Sequence, residues 1–149
     1  MKLKKVALIN AVSANGKSSA LAAVPILATA RLESTVIPTA VFSDVSGEYY
    51  RDMTECILPI AEQISGTDTV FDAISIGYIT DDDQIPSIIK TCNLLANEDT
   101  KIILDPIMGD NGKLYGRFSC NFPAAMLELC KKADVILPNI TEACLLTGK

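Results

Sequence analysis

Lys101-Ile102-Ile103-Leu104-Asp105-Pro106-Ile107-Met108-Gly109-Asp110-Asn111-Gly112-Lys113-Leu114-Tyr115 is the stretch on which the reading of this chain turns. It begins as a short apolar run, suited to a buried strand, and stops at Asp105-Pro106, where the proline removes a backbone donor. A long polar loop then runs to Gly116. On its amino-terminal side, Ile85, Ile88, Ile89, Cys92 and Leu95 form an apolar stripe at helical spacing, with Pro86 placed for a first turn. On its carboxyl-terminal side the pattern predicts a helix over 123–132 with Met126, Leu129 and Cys130 inward, a strand over 135–137 and a last helix over 141–146.

Further back, residues 71–76 read as a strand ending at Gly77, and Met53, Ile57, Ile60, Ala61 and Ile64 share one helical face bent at Pro59. Residues 35–37 and 40–42 are extended stretches around Pro38, 18–30 read as a helix rich in Ala and Leu, and 6–9 as a buried strand followed by a polar loop, 13–17. Strand alternating with helix is the signature of βαβ units, hence of an α/β fold with a mostly parallel sheet covered on both faces.

Composition narrows the function. The 149 residues suit one domain, and 49% apolar side chains exclude a disordered chain. Charges and prolines interrupt every apolar run well short of the roughly 20 residues of a membrane span, so no membrane association is expected. The basic tip at Lys2, Lys4 and Lys5 precedes a run too short for a signal peptide. A net charge of −5 with no other cationic cluster argues against nucleic acid as a partner. The absence of histidine removes Ser-His-Asp and Cys-His catalysis and nearly all zinc sites but all-Cys ones. The five cysteines form no C-x-x-C pair and read as reduced core thiols of a cytoplasmic protein.

In parallel α/β sheets, ligands bind beyond the carboxyl ends of the strands. That rule selects the loops 10–17, 43–49, 77–83, 105–116 and 138–142, which hold most of the chemically interesting residues. One reading of the first loop is a P-loop: Ala11 to Ser18 loosely fits G-x-x-x-x-G-K-[ST], with Lys17 for phosphates, Ser18 for magnesium and Asp105 as the strand-end acid. Ala11 stands where that motif has its first glycine, and Gly16 is its sole glycine.

The run 105–115 resembles the D-P-V-M-G-D-N-G-K-L-Y segment of the pyridoxal and pyridoxamine kinases, within the ribokinase-like superfamily. Residues 137–148 are similar to the same kinases' T-P-N-x-x-E-A-x-x-L-T-G run, through Asn139 and Glu142. Asn10 with Ser13 and Gly16, Pro38-Thr39-Ala40-Val41 with Ser43, Ser46-Gly47 and Gly77-Tyr78 agree more weakly and in order. The resemblance implies a three-layer ribokinase-like fold of which residues 1–149 form the amino-terminal half, truncated before the carboxyl-terminal half.

It further implies ATP-dependent phosphorylation of the hydroxymethyl group of pyridoxal, pyridoxamine or pyridoxine, with magnesium and with ATP as co-substrate. By the same resemblance Asp110, Tyr115, Asn139 and Glu142 bind nucleotide, Asp110 and Glu142 hold the metal, Asp105 supports the loop, and Ser13, Ser46 and Tyr78 line the vitamin pocket. Hard carboxylate oxygens suit magnesium, which keeps several waters and takes few protein ligands.

Two departures bear on the substrate. Ala11 replaces a residue that is usually polar in those kinases, and Asp44-Val45 replaces a common Asn-His pair, so a hydroxymethylpyrimidine kinase of thiamin synthesis is the alternative. The family's G-[TA]-G-D segment, carrying the catalytic Asp and an anion hole, does not occur here. The chain alone is therefore expected to be inactive, and a non-catalytic remnant stays open. A half sheet is also expected to leave an edge strand and apolar surface for self-association as a homodimer.

Overall fold

The computed structural model describes residues 3–15, 18–44 and 49–149. Its main sheet has the strand order β3-β2-β1-β4-β5-β8. Strands β1 (Lys4–Asn15), β2 (Leu32–Asp44), β4 (Ala73–Ile76), β5 (Lys101–Leu104) and β8 (Val135–Ile136) run parallel, and β3 (Tyr50–Asp52) pairs antiparallel on the β2 edge. Five helices connect or follow them: α1 (Ser19–Thr29), α2 (Thr54–Ser65), α3 (Ile85–Leu95), α4 (Phe122–Cys130) and α5 (Ile140–Thr147). This is the mostly parallel α/β arrangement of ribokinase-like kinases.

The period of two along each strand sorts the core. Ala7 and Ile9, Ile74 and Ile76, Ile102 and Leu104 join one apolar cluster with Ile57 and Ala61 of α2, Ile88 and Cys92 of α3, and Phe122, Met126 and Leu129 of α4. Of the stripe on α3, Ile85, Ile88, Cys92 and Leu95 are buried and Ile89 partly so, and Pro86 sits in the first turn. Val6 and Leu8 alternate to the opposite face, while α1 packs along β1 and β2. The sheet ends at β8, where Val135, Ile136 and Leu137 are exposed, and the next helix begins with Ile140 at 85% exposure. Among the described residues no helix is long and apolar enough to cross a membrane.

Three elements differ from the sequence expectation. The first strand does not give way to a loop at Ser13. β1 continues to Asn15 because β2 runs beside it through Pro38 as one strand. The missing amide of Pro38 is absorbed by an irregularity, in which the register advances from Asn10↔Pro38 to Val12↔Val41 and β2 spends one extra residue. The P-loop reading thereby loses its loop, since Ala11 to Asn15 are strand; Gly16 and Lys17 lie outside the described residues. The strand β3 and the hairpin β6 (Gly109–Asp110)–β7 (Lys113–Leu114) are the other two.

The cysteines need correction too. All are free, but Cys120 and Cys144 are exposed and Cys56 and Cys130 only partly covered. Cys92 alone is a fully buried core thiol, and burial pushes it up to about 12.

Candidate functional site

The site lies at the carboxyl ends of the strands and has two sides. The first is a clasp between the β6–β7 hairpin and the start of α5. Its chain leaves β5 with the Asp105 N–H donating to the Ile76 carbonyl at 2.9 Å, then turns at Asn111 (φ 50°) and Gly112 (φ 75°). Two successive positive φ values mark the tight hairpin turn that Asn-Gly favours. Gly109 is required for closeness: a Cβ there would sit 2.5 Å from the Lys113 carbonyl oxygen.

Asn139 and Glu142 hold this hairpin. Asn139 is the N-cap of α5, and its Oδ1 accepts from the Glu142 N–H at 2.9 Å while Glu142 Oε2 accepts from the Asn139 N–H at 2.9 Å. This reciprocal capping box explains the three-residue spacing of N-x-x-E by helix geometry alone. Both side chains also reach across. Asn139 Nδ2 donates to the Gly109 carbonyl at 3.0 Å, and Glu142 Oε1 accepts from the Met108 N–H at 3.2 Å. The Gly112 N–H donates to Thr141 Oγ1 at 2.9 Å. Glu142 is only 4% exposed, so its charge is spent largely on these backbone amides.

Asp105 and Asp110 flank that clasp. Burial, and next the charge of Glu142, raise the Asp105 carboxyl above the usual carboxylate range, which puts two acids within electrostatic reach of each other. The Asp105 side chain forms no hydrogen bond among the described residues. Asp110 is exposed, with Oδ1 accepting from the Asn111 N–H at 2.7 Å. Among the described residues no group of three or more His, Cys, Asp or Glu side chains is arranged to hold a metal. What the site offers is an all-oxygen set of separate carboxylates, which fits magnesium in a largely hydrated state and does not fit zinc. Tyr115 is exposed, with its N–H on the Met108 carbonyl. A cavity of about 470 Å³ opens beside the hairpin tip, lined by Gly112, Ile140, Thr141, Cys144 and Leu145 among others.

The second side is aromatic. Tyr78 follows β4 and is pinned at both backbone groups: its N–H donates to Asn10 Oδ1 at 3.0 Å, and its carbonyl accepts from Thr39 Oγ1 at 2.7 Å. Gly77 leaves room for that Asn10 amide, since a Cβ would lie 2.5 Å from Nδ2. The Tyr78 hydroxyl is buried without a partner among the described residues, and burial, offset in part by Arg117, pushes it up to about 12. Phe42 packs edge-on against Tyr78 at 5.3 Å and tilted against Tyr50 at 5.2 Å. Ser13, buried, faces Phe42 in the strand register and donates its hydroxyl to the Asn15 carbonyl at 3.2 Å. Ser46 lies outside the described residues.

Two groups here were not anticipated. Arg117 sits over the rings of Tyr50 and Tyr78. Beneath them runs a polar network: Thr80 Oγ1 donates to Asp52 Oδ2 at 2.7 Å, and Gln84 Nε2 donates to the Thr39 carbonyl and to Thr54 Oγ1. Burial would raise the Asp52 carboxyl, but hydrogen bonds from Thr54, Thr80 and Tyr50 outweigh it and hold it below the usual range. No sequence signal marks this network, because its members come from three separate segments. Residues 115–118 join the two sides, with Tyr115 bonded to the clasp and Arg117 on the rings.

No family model and no curated protein matches the sequence. Solved structures do. A putative phosphomethylpyrimidine kinase from Bacteroides thetaiotaomicron is 32% identical with a TM-score of 0.95, over 100% of this chain and 53% of its own. A second crystal form of a putative phosphomethylpyrimidine kinase from that organism, with pyridoxal, gives 32% and 0.93 over 99% and 53%. Pyridoxal kinase from Lactobacillus plantarum is 30% identical with a TM-score of 0.89, over 99% of this chain and 54% of its own. The chain thus spans about half the length of the kinases it is similar to.

Proposed function

We propose that this chain forms one half, the amino-terminal one, of an ATP-dependent kinase that phosphorylates the hydroxymethyl group of pyridoxal, pyridoxamine or pyridoxine. The observation that carries this reading is the pairing of an acidic, backbone-clasped hairpin with a three-ring aromatic cluster at one sheet edge. The first offers oxygen ligands and amides suited to a nucleotide's phosphates, the second a flat surface suited to a heteroaromatic ring.

In this reading Asp110 and Glu142 hold magnesium, with Asp105 beside them, and Tyr115 and Asn139 flank the triphosphate. Magnesium supplies charge neutralisation for the transferring phosphoryl group. Since Glu142 already accepts two backbone N–H groups, it acts through its remaining lone pairs or through bound water. Ser13 and Tyr78 line the ring pocket in this reading, and the resemblance assigns Ser46, outside the described residues, to the same role. The similarity to phosphomethylpyrimidine kinases favours a second reading, in which the ring is a hydroxymethylpyrimidine.

In this reading the base for the hydroxyl belongs to the carboxyl-terminal half, and the 149 residues by themselves are expected to bind without turnover. The apolar edge of Val135, Ile136 and Leu137 supports self-association as a homodimer, checked by light scattering across a concentration series. The main test is calorimetric titration with ATP, with and without magnesium, and separately with vitamin B6. Magnesium-dependent nucleotide binding that Asp110→Ala and Glu142→Ala both weaken supports the reading. Binding of neither ligand makes the chain a non-catalytic remnant.

A further inference from the structure

Arg117 takes no part in the roles above. Its guanidinium carbon lies 5.2 Å from the ring centroids of both Tyr50 and Tyr78 and 5.7 Å from that of Phe118. Burial raises the Tyr50 hydroxyl above its usual value, and the nearby Arg117 charge opposes that rise. The ion pairs among the described residues are Lys5–Glu33, Lys101–Asp134 and Lys131–Glu128, and none uses it. Tyr50 comes from β3, Tyr78 from the loop after β4 and Arg117 from the loop after β7, so one cation spans three segments around the ring cluster. The buried Tyr78 hydroxyl beside it has no partner among the described residues.

A cation set among aromatic rings asks for a particular ligand. Aromatic walls favour a flat ring. Guanidinium carries five N–H donors, no acceptor, and a charge that it does not lose at any ordinary pH. The ring edge that meets it must present acceptors, best of all an oxyanion. The two candidate rings differ at that point. The vitamin B6 pyridine carries a ring hydroxyl that ionises readily, whereas the hydroxymethylpyrimidine carries an amino group whose own N–H donors would oppose those of Arg117.

The neighbouring acids Asp52, Asp81 and Asp82 are each held by hydrogen bonds from other groups of the protein. Asp52 accepts from Thr54, Thr80 and Tyr50; Asp81 accepts from the Gln84 N–H; Asp82 accepts from Ser119. From this geometry we infer that Arg117 determines ring specificity, favouring an oxygen-bearing pyridinol edge over an amino-bearing pyrimidine edge. The inference deepens the proposed function and rests on its placement of the ring pocket.

The test titrates pyridoxine, which lacks the aldehyde that would react with lysines, and hydroxymethylpyrimidine into the wild-type chain, Arg117→Gln and Arg117→Lys. Wild type is expected to prefer pyridoxine. Arg117→Gln, whose amide can accept as well as donate, should lose about tenfold in pyridoxine affinity while pyrimidine affinity holds or rises. Arg117→Lys keeps the charge without the planar fork and should recover part of the preference. Circular dichroism melts establish that the variants fold. An unchanged affinity ratio in all the proteins, or a wild-type preference for the pyrimidine, overturns the role of Arg117 while leaving the pocket in place. Binding of neither ring to the folded wild type removes the pocket reading itself, and this inference with it.

Discussion

Three side chain–backbone hydrogen bonds join residues 108–112 to residues 139–142, and two more close the capping box at the start of α5. Across the site, Phe42, Tyr50, Tyr78 and Arg117 come from separate segments and meet through ring contacts. The first side is directional: each donor has one acceptor, and moving a residue strands a buried polar group. The second is held by stacking, which tolerates tilt and displacement. An arrangement that must present phosphate ligands gains from the first kind of construction, and one that must admit and release a flat ring gains from the second.

If that contrast is right, the clasp should suffer most from substitution. Glu142→Ala removes a cap and leaves the buried Met108 amide without its acceptor, and should cost about 3 kcal/mol in denaturant unfolding. A loss below about 1 kcal/mol would mean that the hairpin is not held by this carboxylate. Gly109→Ala should follow at about 2 kcal/mol, because the added methyl meets backbone rather than a movable side chain. Here the check is a lowered Tm together with altered amide signals at Lys113 and Leu114.

Effects on the aromatic side should be smaller. Asp52→Asn is expected to cost about 0.5 kcal/mol, since solvent screens a partly exposed carboxylate. Because the folded Asp52 carboxyl lies below its ordinary value of 3.8, its contribution is present above that pH and is lost as pH falls through the lower folded value. Stability measured between pH 5 and pH 2 should therefore fall less steeply in the Asn variant. Equal slopes would count against the network beneath the rings. Smallest of all, Lys17→Ala should change stability by under about 0.5 kcal/mol and leave any nucleotide affinity nearly intact. Abolished nucleotide binding would restore the phosphate-loop reading of residues 11–18.

Much of the first side was legible in the sequence. Residues 101–104 are a strand, and the spacing of Asn139 and Glu142 carries its own local explanation as a capping box. The Asn111-Gly112 pair was a hairpin signal within a segment read only as a polar loop; its two positive φ values show what the pair was for. The second side was not legible in the same way. Tyr50-Arg51-Asp52 has no apolar alternation, and it becomes a strand only because β2 offers an edge to pair with. Tyr78 could be named as a candidate from resemblance, but Arg117, Phe42 and the Thr39–Gln84 bond depend on which strands lie side by side. The exposed Cys120 and Cys144 likewise mislead, because apolar character alone does not say which face of an element is covered.

By itself, then, the order of apolar runs and turn residues determined the βαβ alternation, the acidic loops at the strand ends and the capped start of α5, because each depends on contacts within a few residues. Only the tertiary structure decided that β1 and β2 run on past Asn10, that β3 closes the edge, and that one arginine comes to rest on two tyrosines. Those features arise from strand pairing and packing between distant segments, where the free energy depends on neighbours that no local stretch of sequence identifies.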